Sequence, residues 1–219
     1  MWTRQVRTFL AKDARLHGRA AAVVIVGTLI AIATLVVFIP QGVGPQVALV
    51  FNINFLLALL WSEWLITRER SKGTFAWLRT LPTDDRALAG SKFVASAGLT
   101  VLLWTLSTTL FAREFWRPVG TWIVLLALLL TFGGLAIAAK WRFSWRVGHI
   151  GPLLAFAAPL LLFMTVAGDG TERRDALIAL WNAPWGRTVV SVAFCLVYVA
   201  IVVITTRWVT RANTVDLVD

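Results

Sequence analysis

Val119-Gly120-Thr121-Trp122-Ile123-Val124-Leu125-Leu126-Ala127-Leu128-Leu129-Leu130-Thr131-Phe132-Gly133-Gly134-Leu135-Ala136-Ile137-Ala138-Ala139 decides the fold of this chain. The run carries no charge, and as a helix it rises about 30 Å, the thickness of a bilayer's hydrocarbon core. Comparable apolar runs lie on both sides of it, at about 20–40, 46–67 and 91–112 before it and at 149–168 and 188–208 after it. The expectation is a single all-α integral membrane domain, residues 1–219, with six transmembrane helices. The spans take up more than half of the 219 residues and leave no room for a soluble catalytic domain. The bulk composition agrees: 58% hydrophobic and 15% charged, where soluble domains run near half and a quarter.

The first span starts late and is followed by Pro40-Gln41-Gly42 rather than a small-residue cleavage site, so it is not read as a cleaved signal peptide. The lone Cys195 cannot form an internal disulfide. The net charge of +10 suggests nucleic acid until its distribution is considered. If the N-terminus faces the cytosol, sixteen of the twenty-one Lys and Arg fall in cytosolic segments, which is the positive-inside bias. That bias accounts for the basicity without nucleic acid. It puts both termini in the cytoplasm of a bacterial or archaeal-type cell (inner) membrane. Trp61, Trp64, Trp116, Trp122, Trp141, Trp145, Trp181, Trp185 and Trp208 sit near span ends, where indoles favour the interface, whereas Trp104 is mid-span and suited to packing.

Residues 1–19 are expected to form an amphipathic interfacial helix. Over 2–17, Trp2, Val6, Phe9, Leu10 and Leu16 share one face and Arg4, Arg7, Lys12 and Arg15 the opposite one. Such a helix lies in the headgroup layer, its basic face toward anionic membrane lipid or a partner. Asp13 falls on the apolar side and spoils the pattern. Gln41-Gly42-Val43-Gly44-Pro45 is a short outer turn. Glu63 lies about one turn inside the second span's end, near enough to Arg68 and Arg70 to pair with them.

The cytosolic segment 69–90 carries ordered-structure signals. A short helix starts near Phe75, with Trp77, Leu78 and Leu81 on one face, and Leu81-Pro82 stops it. Thr83 then caps a new helix with Asp84 and Asp85 in its first turn. In the third span, Thr100, Thr105, Ser107, Thr108 and Thr109 suit interhelical hydrogen bonds better than a polar path. Gly134 and Ala138 allow close helix approach in the fourth. Lys140-Trp141-Arg142-Phe143-Ser144-Trp145-Arg146 reads as an interface anchor. Pro152 and Pro159 mark a bend in the fifth span, and a short surface helix suits the outer segment 169–187.

No phosphate loop, dinucleotide fingerprint or His-Glu-x-x-His occurs. His17 and His149 are far apart, and no Ser, His and Asp share a membrane depth, so no catalytic, cofactor-binding or metal residue is assigned.

The run from Glu69 to Lys92 resembles a cytosolic segment of type-2 ABC exporter permeases. An acidic residue among bases is followed by Gly-Thr, apolar residues, Leu-Pro and a lysine near the next span. The matching positions are Glu69, Gly73, Thr74, Leu78, Leu81, Pro82 and Lys92. The resemblance covers about 25 residues in motif and the whole chain in layout. It implies a non-enzymatic permease subunit of an ATP-binding cassette exporter. Glu69, Gly73, Thr74, Trp77, Leu78, Leu81 and Pro82 would form an ATPase-coupling site. It also implies a separate ATPase subunit holding ATP and magnesium, and a homodimer or a heterodimer with a related permease. Layout is similar as well to haem-exporter B subunits of cytochrome c maturation. A membrane assembly protein and a lipid-acting membrane enzyme are the competing readings.

Overall fold

The computed structural model describes residues 2–38, 43–71, 85–111, 119–142 and 186–209, together with Asp175, Ala179, Asn182, Ala183 and Trp185. Among them there is no strand. The long helices are α1 (Trp2–Phe38), α2 (Val43–Ser71), α3 (Asp85–Phe111), α4 (Val119–Arg142) and α5 (Gly186–Val209). All five are long and apolar enough to cross a membrane. The span expected at 149–168, with Pro152 and Pro159, lies outside the described residues.

Two apolar clusters mark opposite ends of the described bundle, in which the last two helices run parallel, Gly120 beside Arg187 and Gly134 beside Tyr198. At one end Val6 and Phe9 of α1 pack with Ile66 of α2, Ala87–Ala89 and Phe93 of α3, and Ile137 and Trp141 of α4. At the other, Ile32, Val50, Phe55, Trp104, Leu129 and Phe132 interlock. The second cluster is aromatic. The Phe55 and Phe132 rings meet edge-on at 5.1 Å, and Phe51 meets Trp104 edge-on at 6.3 Å, a geometry that adds attraction beyond area burial. Trp104 is wholly buried, as its mid-span place requires. Helix α3 is central and touches α1, α2, α4 and α5.

Apolar side chains gain little from leaving lipid for protein, so interhelical hydrogen bonds and close packing set the register. Asn54 Nδ2 donates to Ser107 Oγ at 2.9 Å, and the Ser62 and Ser96 hydroxyls share a hydrogen bond at 2.7 Å, fixing α2 against α3 at two heights. Trp122 Nε1 donates to Thr108 Oγ1 at 3.0 Å between α3 and α4. Thr131 Oγ1 donates to the Phe194 carbonyl at 3.2 Å between α4 and α5. The third span's Ser107 and Thr108 therefore serve packing, as expected. Gly134 permits the closest approach: a Cβ there would lie 3.0 Å from the Tyr198 ring of α5.

Two expectations change. The first concerns the helix at 1–19, expected as a separate interfacial element. Residues 2–38 are one continuous helix, and the apolar face of its first turns is covered by protein, not lipid. The sequence holds no breaker at the expected junction: His17-Gly18-Arg19-Ala20 contains one glycine and no proline. The second concerns depth. Asp13 meets Lys92, and the His17 ring stands edge-on to Trp64 at 4.8 Å. Residues 13–17 are thus level with the C-terminal end of α2 and the start of α3.

Candidate functional site

The end of the bundle that gathers the N-terminus of α1, the C-termini of α2 and α4 and the start of α3 holds most of the ionisable groups among the described residues. Its centre is a buried ion pair. Lys92 Nζ donates to both Asp13 carboxylate oxygens, at 3.0 and 2.8 Å. The Lys92 side chain is 0% exposed and that of Asp13 5%. Lys12 Nζ stands 3.7 Å from the same carboxylate and adds a second, more exposed cation.

Local structure dictates this meeting. On α1 the buried positions run Val6, Phe9, Asp13 and His17, then Thr28 and Ile32, a spacing of three and four that keeps them on one stripe. Asp13 is therefore a member of the packed face, not a flaw in it. On α3, Ala87–Phe93 are all buried, so Lys92 has no route to solvent, and the carboxylate neutralises it where it lies. A buried charge is tolerated only when paired in this way. The Ser91 hydroxyl beside it donates to the Leu88 carbonyl at 2.7 Å within α3.

The expected membrane-surface residues keep their exposed face. Arg4, Arg7 and Arg15 are exposed and Lys12 is half-buried. With Thr8, Ala11 and Leu16 they border a shallow hollow of about 570 Å³ along α1. Leu16, expected on the apolar face, is exposed, while His17 takes its place in the packed stripe.

Of the expected coupling residues, Glu69 belongs to the last turn of α2, which runs on to Ser71. Gly73, Thr74, Trp77, Leu78, Leu81 and Pro82 lie outside the described residues. The flanks of that segment are defined. Helix α2 ends at Ser71 and α3 begins at Asp85, and the two helices pack against each other. The linking chain thus leaves and rejoins the bundle at the end that carries Asp13–Lys92.

Two further assignments at this end move inward. Lys140 and Trp141, expected to anchor a loop at the interface, belong to α4 and are 1% and 6% exposed. Trp61 is also buried, stacked on Trp64 at 4.8 Å. The segment 169–187, expected on the outer side, is described in part: Asp175 and Ala179 are helical, and Ala183 N–H donates to the Ala179 carbonyl at 2.9 Å. Trp185 there is exposed. Among the described residues no group of His, Cys, Asp and Glu could hold a metal ion.

Sequence alone hides the acid–base pair, because Asp13 stands as an irregularity on an apolar face and Lys92 as one position of the exporter-like motif 79 residues away. An acid four residues from Phe9 on a packed face is itself the signal, since such a carboxylate requires a cation across the interface. Comparison with protein-family models, curated proteins and solved structures finds no match to this chain.

Proposed function

We propose that this chain is the membrane-spanning permease subunit of an ATP-binding cassette exporter, driven by ATP hydrolysed in a separate subunit. The observation that carries the reading is the run Glu69–Lys92, whose resemblance to the coupling segment of type-2 permeases spans the link between α2 and α3. The packing around that link supports it. A force applied to the chain between Ser71 and Asp85 reaches two transmembrane helices directly, and reaches α1 through Asp13–Lys92.

In this reading the N-terminus and the basic stripe Arg4, Arg7, Lys12 and Arg15 face the cytoplasm, in accord with the distribution of Lys and Arg. Trp77, Leu78 and Leu81 seat in a groove of the ATPase. Closure of the ATPase pair on ATP and magnesium then moves the link and tilts α2 and α3. ATP shifts the permease between states because the ATPase pair binds it more tightly when closed. The permease acts as a dimer, with itself or with a related chain.

The test is reconstitution of the chain with its genomically neighbouring phosphate-loop ATPase in lipid vesicles. Leu78→Asp places a charge in the seated apolar face. It should leave membrane insertion intact and abolish the stimulation of ATP turnover that the permease gives. Unchanged stimulation by Leu78→Asp would remove the coupling role.

A further inference from the structure

Helix α1 packs along α3 but touches α2 only sparsely, and an apolar cleft of about 880 Å³ opens between α1 and α2. Its walls are Ala20, Val23 and Val24 on one side and Leu57, Leu60 and Trp61 on the other. Arg19 lines the same cleft and is exposed. Arg19 stands six residues beyond Asp13 along α1, about 9 Å further toward the middle of the bundle. Because Asp13 and Lys92 are level with the ends of the neighbouring spans, this guanidinium lies inside the apolar boundary. A charge at that depth needs a counter-charge or a route to the headgroups. Among the described residues no carboxylate forms an ion pair with Arg19.

We infer that the α1–α2 cleft is a binding site for one anionic phospholipid of the leaflet at the N-terminal end of α1. Its phosphate meets Arg19, and one acyl chain lies between Val23–Val24 and Leu57–Leu60. The charge selects the ligand: an apolar trough accepts any acyl chain, but a guanidinium at its mouth favours a head group of net negative charge. Trp64, half-buried in the lining at the same end, is the indole suited to glycerol-ester depth. The inference rests on membrane embedding and is independent of the transport reading.

The test is native mass spectrometry of the full chain, delipidated in mild detergent and titrated with phosphatidylglycerol or phosphatidylcholine of the same acyl chains. One basic residue near the surface contributes about a five-fold preference for an anionic lipid. The wild-type chain should show that preference in its first lipid adduct. Arg19→Gln, at an exposed position, should bring the two lipids to parity, while Arg187→Gln at the opposite end of the bundle keeps the preference. Ala20→Phe fills the trough and should weaken both lipids. Equal binding of the two lipids by the wild type, or a preference that survives Arg19→Gln, would overturn the assignment. So would an Ala20→Phe chain that loses a dimer peak while keeping its lipid adducts, which would give the cleft to a second copy.

Discussion

Removal of Lys92 should expose how strongly this bundle depends on a single buried pair. The two N–O distances, 3.0 and 2.8 Å, place the charge centres about 4 Å apart, and at an effective dielectric near 20 their attraction is about 4 kcal/mol. In Lys92→Met the attraction is lost while the Asp13 carboxylate stays at 5% exposure. Breaking a buried pair from one side destabilises by about 3–5 kcal/mol. For a chain of this size that is a fall of roughly 6–20 °C in melting temperature, followed by far-ultraviolet circular dichroism in mild detergent. The double variant Asp13→Leu with Lys92→Met removes both charges and restores apolar packing. It should melt close to the wild type, because apolar replacement of a whole buried pair is often neutral. The double-mutant cycle would then give a coupling energy of about 3 kcal/mol or more. A Lys92→Met chain melting within about 2 °C of wild type would refute the reasoning, as would a double variant no better than the single ones.

The remaining expectations use the same melting assay. Gly134→Leu drives a side chain into the Tyr198 ring and should destabilise by about 1–3 kcal/mol, whereas Gly98→Leu, with no atom within 4 Å of the new Cβ, should cause no comparable loss. Asn54→Ala removes the hydrogen bonds to Ser107 and to the Val50 carbonyl and should cost about 1 kcal/mol, with a smaller further loss when Ser107→Ala is added. Trp122→Phe keeps the ring and loses the donor to Thr108, so its melting temperature should fall by only a few degrees.

Much of this fold was legible in apolar run length. Five of the expected spans correspond to α1–α5, and Ser107 and Thr108 of the third span bond to neighbouring helices as their placement suggested. Gly134 does what its small size permits, against Tyr198. The misses share one cause: a sequence window reports how apolar a stretch is but not what lies across from it. Arg4, Arg7, Lys12 and Arg15 on one face made residues 1–19 resemble a surface helix, with Asp13 as a flaw in it. The structure pairs Asp13 with Lys92 on the packed face and keeps Arg4, Arg7 and Arg15 exposed, within a helix that runs unbroken to Phe38. Lys140, Trp141 and Trp61 looked like interfacial anchors by position, yet packing draws them inside. The segment 69–90, proposed to couple to an ATPase, is the reverse case: its exporter-like motif is readable in sequence, while the described structure supplies only its flanking helices.

The central claim is that this chain works with an ATP-driven partner docked on the link between α2 and α3. The most direct measurement is purification of the tagged chain from native membranes in mild detergent, followed by identification and quantitation of what accompanies it. The account predicts a stoichiometric phosphate-loop ATPase that is retained by the wild type and lost with Leu78→Asp. A clean preparation without any ATPase, repeated after crosslinking in the membrane, would contradict it.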